Sequence, residues 1–209
     1  MIGYFDYTVW LTYLGFLSGV TGIICAFNGN IFFAIICLMF SGLCDGLDGK
    51  VARTKQKRTK DERLFGGQLD SLSDLVCFGV LPSMIGYNIG IRSIWGVPIL
   101  ILFPLAALIR LAWFNTLEIN RDSNTPVKYY TGLPVTASAI VFPFLYTFKK
   151  IIPNYFQVIY AVILLTVGIL FISKIKVKKI GTKTILLFTL LGLIEIIAII
   201  LIMKYLWNI

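Results

Sequence analysis

Seven apolar stretches, separated by short polar segments, leave this chain of 209 residues little choice of fold class. They cover about 8–27, 31–51, 68–89, 94–114, 133–148, 155–173 and 184–206. A helix needs about 20 mostly apolar residues to cross a bilayer. Only helices and closed barrels satisfy their backbone polar groups in hydrocarbon. The expected fold is an all-α integral membrane protein, a polytopic bundle of about seven transmembrane helices, with six to eight compatible with the pattern. Charged residues make up 14% of the chain, against roughly 25% in a soluble domain. One membrane-embedded domain over 1–209 is expected, with no separate soluble domain. The first apolar run does not read as a secretory signal, because no basic segment precedes it and no small-residue cleavage site follows. Residues 1–10 place Tyr4, Phe5, Tyr7 and Trp10 around Asp6. They read either as a short interfacial helix or as the start of the first span. In the fourth span, Pro98 and Pro104 predict a kink or a late start.

Charge sets an expected orientation. Lys and Arg number six over 53–63, two over 115–131 and five over 173–183, thirteen on one side. The other side carries Arg92, Lys149, Lys150 and Lys204. By the positive-inside rule the thirteen face the cytoplasm. The net charge of +9 is thereby assigned to orientation and anionic headgroups rather than to nucleic acid.

The chain contains no histidine, which removes Ser-His-Asp catalysis, His-rich zinc sites and an imidazole base. Cys25, Cys37, Cys44 and Cys77 show no CxxC spacing and read as small buried residues. Six of the ten acidic residues lack obvious partners: Asp6, Asp61, Glu62, Glu118, Asp122 and Glu195. The other four stand at the ends of apolar spans. Asp45 and Asp48 close the second, in CDGLDGKVAR, while Asp70 and Asp74 open the third, in GGQLDSLSDLVCFG.

Spacings of three and four residues put each pair on one helix face. The helices are consecutive and antiparallel, so their aspartates are expected to meet near the cytoplasmic edge. Four uncompensated carboxylates cannot persist in a low-dielectric site. Divalent cations resolve this, and an all-oxygen set suits Mg²⁺, Mn²⁺ or Ca²⁺ rather than zinc. Two ions about 3.5–4 Å apart would clamp a phosphate. Gly46, Gly49, Gly66, Gly67 and Ala52 leave room for a ligand, and Arg53 is placed to fork onto a phosphate. Alternatively, the aspartates pair as interfacial charges with Lys50 and Arg53.

Asp45-x-x-Asp48-Gly49-x-x-Ala52-Arg53, followed by Gly66-x-x-x-Asp70-x-x-x-Asp74, resembles the signature of the CDP-alcohol phosphatidyltransferases at all eight fixed positions. The family spacer between Arg and Gly is usually about eight residues, whereas 54–65 is twelve here. A longer surface loop is the expected cause. The resemblance implies a catalytic core over about 8–143, with additional C-terminal spans over 155–206. It implies that a CDP-linked lipid loses CMP and transfers its phosphatidyl group to an alcohol. Asp45, Asp48, Asp70 and Asp74 then resemble the ligands of two divalent ions, with Asp74 also the general base. Gly49, Ala52 and Gly66 resemble the cytidine-accommodating positions, and Arg53 a diphosphate contact. A homodimer is implied as well.

Three further blocks resemble the serine-specific branch: LDSLSDLVCFGVLPS over 69–83, RLAWFN over 110–115 and YYTGLPVTASA over 129–139. The implied reaction joins CDP-diacylglycerol or CDP-archaeol to L-serine. Arg110 is the candidate for the serine carboxylate, assisted by Asn115 and Ser71; alternatively, Arg110 snorkels to the headgroups. Glycerol 3-phosphate or an inositol phosphate is the alternative acceptor. A divalent-cation channel or transporter is the alternative of another class.

Overall fold

The structure, a computed structural model, describes residues 3–55, 57–119 and 129–178. A 3₁₀ turn, Tyr7–Val9, runs directly into α1, Trp10–Phe27. The Asp6 side chain accepts from the Thr8 backbone N–H at the start of this turn. Residues 7–10 therefore open the first span rather than forming a separate interfacial helix. A short turn with Gly29 at φ +81° leads into α2, Ile31–Ala52. Next come α3, Lys60–Asp74, a π-helical segment, Leu75–Val80, and α4, Leu81–Ile89, in one continuous rod. The remaining helices among the described residues are α5, Gly96–Ile119, α6, Ser138–Thr147, and α7, Phe156–Ile172. Strands β1, Tyr129–Thr131, and β2, Lys176–Lys178, form a short antiparallel ladder with Tyr130 opposite Val177.

Among the described residues, four rods are long and apolar enough to cross a membrane, Tyr7–Phe27, Ile31–Ala52, Lys60–Ile89 and Gly96–Ile119. Two shorter apolar helices follow, Val135–Thr147 and Phe156–Ile172. Each of the first six expected spans has a helix, and the seventh, 184–206, lies outside the described residues. Leu17, Phe33, Ile101, Trp113 and Ile169 are exposed on the outward faces, as suits a bundle whose solvent is lipid.

Two boundaries depart from expectation. The third helix starts at Lys60, eight residues before the expected 68, so the longer spacer is not a longer loop. Thr59 caps the helix, and Glu62 reaches back to the Thr59 backbone N–H at 2.9 Å. This capping box satisfies otherwise orphaned amides and lets a polar sequence begin a helix. The aspartates therefore do not open α3 but lie inside it, with Asp70 about 15 Å along its axis at 1.5 Å per residue. The fourth span begins at Gly96, which places Pro98 in its first turn, where proline is tolerated. Pro104 lies inside the helix.

Close packing, rather than expulsion of water, holds such helices together in a bilayer. Thr12, Gly15, Gly19, Gly22 and Ala26 form the buried face of α1. A Cβ at Gly15 would come to 3.1 Å from Cys44 Cβ, and one at Gly19 would overlap Cys77 Sγ. A Cβ at Gly22 would lie 2.9 Å from Cys37 Cβ. Cys37, Cys44 and Cys77 act as small partners of these glycines; Cys44 and Cys77 are buried as expected, whereas Cys25 and Cys37 are only partly so. On the far side, Phe103, Phe142, Phe156, Tyr160 and Phe171 interlock at the junction of α5, α6 and α7. The buried Tyr160 hydroxyl donates to Pro82 O at 3.0 Å.

Candidate active site

α2 and the α3 rod converge on α1 around a narrow cleft lined by Thr12, Asp45, Asp48, Asp70 and Asp74, with Phe78 at its side. All four aspartates singled out by spacing are brought together. One carboxylate oxygen each from Asp45, Asp70 and Asp74 lies within 4.8 Å of the others. The Asp45 carboxylate lies beside that of Asp74, and the Asp48 carboxylate beside that of Asp70. Asp48 and Asp74 are buried. Carboxylates in such contact require a cation or a proton between them. The donor set is all oxygen, and the chain has no histidine. It fits a hard divalent cation.

The π-helical segment begins immediately after Asp74. Its Cys77 donates to Gly15 O at 3.4 Å, and a Cβ on its Gly79 would lie 3.2 Å from Ala107 Cβ. Thus the widened turn seats the rod between α1 and α5, directly below the aspartates. Such π insertions often mark functional positions.

The candidates for the CDP-linked lipid lie on the same stretches of α2 and α3 as the aspartates, although none of them lines the cleft itself. Cβ atoms on Gly46 and Gly67 would meet nothing within 4 Å, so both flanks are open. Arg53 Nε donates to Gly49 O at 2.9 Å, which lays the guanidinium along the end of α2 beside Gly49. Ala52 is the last residue of α2, and Gly66 lies one turn above Asp70.

Of the three acceptor-side candidates, Ser71 and Asn115 meet, while Arg110 lies against a different turn. Ser71 Oγ donates to Asn115 Oδ1 at 2.9 Å, tying α3 to α5. Arg110 Nη1 approaches Phe171 O at 3.4 Å and sits 2.7 Å from where a Gly132 Cβ would lie. Gly132 has φ +76° and donates to Ile175 O at 2.7 Å, a place that only glycine suits. The RLAWFN and TGLP blocks, separate in sequence, therefore meet. Arg110 points to this turn and is not among the residues lining the aspartate cleft.

Two sets of contacts were not anticipated. Thr12 Oγ1 donates to Asp48 Oδ2 at 3.0 Å. Lys55 Nζ bridges Asp6 Oδ2 at 2.6 Å and Glu62 Oε1 at 2.9 Å, which joins the N-terminal segment to the α2–α3 connection. The T-x-x-E pattern at Thr59–Glu62 was a readable signal for part of the second. No spacing rule points to Thr12.

The family model for CDP-alcohol phosphatidyltransferases matches residues 7–207. This chain belongs to that family. It is 43% identical over 114 residues to the CDP-diacylglycerol–serine O-phosphatidyltransferase of Saccharomyces cerevisiae, covering 52% of this chain and 40% of that one. It is 33% identical over 171 residues to the enzyme of that name from Methanocaldococcus jannaschii, covering 82% of this chain and 74% of that one. The archaetidylserine synthase of Methanothermobacter thermautotrophicus is 32% identical over 172 residues, covering 81% and 68%.

Proposed function

We propose that this protein transfers a phosphatidyl or archaetidyl group from a CDP-linked lipid to the hydroxyl of L-serine, releasing CMP. The observation that carries this reading is the convergence of Asp45, Asp48, Asp70 and Asp74 on one cleft in the spacing of the family signature. Relatives named for serine transfer favour serine over other alcohols.

Asp45, Asp48, Asp70 and Asp74 would hold two divalent ions, Mg²⁺ or Mn²⁺. When bound, such a pair neutralises the carboxylates and stabilises charge on the diphosphate and the departing CMP. Gly49, Ala52 and Gly66 give the cytidine a flat surface, and Arg53 turns onto the diphosphate. Asp74, buried at the floor, takes the proton from the serine hydroxyl as it attacks phosphorus. Ser71 lies three residues before Asp74, hence on a neighbouring part of the same face. Together with Asn115 it offers donors and acceptors to the zwitterionic acceptor. Arg110, from the turn at Gly132, is assigned to the serine carboxylate.

The whole chain acts as one domain of about seven spans in this reading, with the aspartate cleft on the cytoplasmic side and a homodimer as the assembly. An acceptor panel tests the choice of alcohol. Purified protein receives CDP-diacylglycerol or CDP-archaeol with serine, glycerol 3-phosphate or an inositol phosphate. Serine alone should yield lipid product. Product formation only from glycerol 3-phosphate would refute serine while leaving the metal site in place.

A further inference from the structure

Gly66, Asp70 and Asp74 follow one another at intervals of four residues and share one face of α3. The guanidinium of Arg58 lies over the top of that face. A Cβ on Gly66 would come to 2.8 Å from Arg58 Nη2, so any larger residue there would push the arginine aside. Nη2 donates to Glu62 O over a long 3.3 Å. Nε is buried and has no hydrogen-bond partner among the described residues. No carboxylate pairs with Arg58 among those residues either, since the Glu62 carboxylate is taken up by Lys55 and the Thr59 amide. A buried guanidinium N–H without an acceptor is unfavourable until an anion reaches it. Next to Gly66 the surface of α3 is open, since a Cβ on Gly67 would meet nothing within 4 Å. Arg58 falls in the twelve-residue spacer between Arg53 and Gly66, outside the signature itself.

We propose that Arg58 is a second phosphate-binding guanidinium of this site, acting beside Arg53 on the diphosphate of the CDP-linked lipid. This rests on the phosphatidyltransferase reading. The ligand chemistry is a phosphate oxyanion held in a planar fork. Both the nucleotide and anionic lipid headgroups present such an oxyanion, so the test separates them.

The full chain is reconstituted in vesicles of phosphatidylcholine alone, or of phosphatidylcholine mixed with phosphatidylglycerol. KM for CDP-diacylglycerol, KM for serine and inhibition by CMP are measured for wild type, Arg58→Gln and Arg58→Lys. Arg58→Gln should raise the CDP-lipid KM and weaken CMP inhibition by about tenfold in both vesicle types. The serine KM and kcat should move by less than about twofold, with Arg58→Lys intermediate because it keeps the charge without the fork. An unchanged CDP-lipid KM, or an equal rise in the serine KM, overturns the proposal. So does an effect confined to vesicles containing phosphatidylglycerol, which would make Arg58 a headgroup anchor. Unfolding temperatures of the variants separate misfolding from lost binding. If wild type releases no CMP, it is the transferase reading that fails. Direct binding of 5′-CMP with Mg²⁺ to wild type and Arg58→Gln then still decides the role of Arg58.

Discussion

Thr12 on α1 donates its hydroxyl to Asp48 on α2 at 3.0 Å, with both side chains buried. A hydrogen bond to a charged group contributes about 1.5–3 kcal/mol, and this one fixes the rotamer of a proposed metal ligand from outside the signature. Thr12→Val keeps the shape and removes the donor. The Mn²⁺ concentration needed for half-maximal activity should rise by about tenfold, while Thr12→Ser should restore it. A metal titration identical to wild type in Thr12→Val would reduce Thr12 to a packing residue.

Asp74 is the residue assigned to proton transfer, and its buried position at the cleft floor suits a base reached only by bound acceptor. Asp74→Asn should lower kcat by about 10²- to 10⁴-fold, with CDP-lipid binding largely retained. Calorimetric binding of CDP-lipid beside a turnover assay measures both. Retained activity would remove Asp74 from that role.

The 2.9 Å bond between Ser71 and Asn115 joins the two helices that flank the proposed acceptor pocket. Ser71→Ala and Asn115→Ala should each raise the serine KM several-fold and leave the CDP-lipid KM nearly unchanged. Because the two residues contact one another, the double variant should fall short of the sum in free energy. Arg110→Ala should likewise affect serine more than CDP-lipid. Equal effects on both would assign Arg110 to holding the turn at Gly132 against Phe171.

Lys55 clasps Asp6 and Glu62, and this clasp carries a defined pH window. The hydrogen bond from Lys55, followed by that from Thr8, holds the Asp6 carboxyl down at about 2 from its usual 3.8. A depressed carboxyl stabilises the folded form above its unfolded value and loses that contribution as pH falls toward 2. The Lys55 ammonium is pushed up by the same partners, so its contribution is present below its unfolded value and fades only above it. Hydrogen exchange of residues 6–9 should therefore be steadily protected from about pH 4 to about pH 9, after correction for intrinsic rates. Lys55→Met should speed this exchange at neutral pH. Equal protection in the variant would show that packing of Tyr4 on Phe65, rather than charge, holds the segment.

How much was legible depended on the range of the interaction. Hydrophobic runs located the first six spans, although α3 starts eight residues earlier and α5 ends five residues later than expected. The aspartate faces were readable because helical spacing is a local property. The start of α3 was missed for a local reason: Lys60–Arg63 is too polar to register as a span, while the capping box that begins the helix depends on two residues, Thr59 and Glu62. The π-helical segment after Asp74 has no one-dimensional signature, since it arises from seating Cys77 on Gly15 and Gly79 on Ala107. Thr12 was invisible for a similar reason. Its role exists only once α1 lies against α2, 36 residues apart in the chain. The meeting of Arg110 with Gly132 is tertiary in the same way.

The central claim is that four aspartates form a metal-dependent site for transferring a lipid phosphate to an alcohol. Its most direct measurement is CMP release by purified protein in vesicles containing CDP-diacylglycerol and serine, with Mn²⁺ or Mg²⁺ and then with excess chelator. Release should require the metal, match the lipid product mole for mole, and disappear on chelation and in Asp70→Asn. No CMP release under any metal, or release untouched by chelator, would contradict the account.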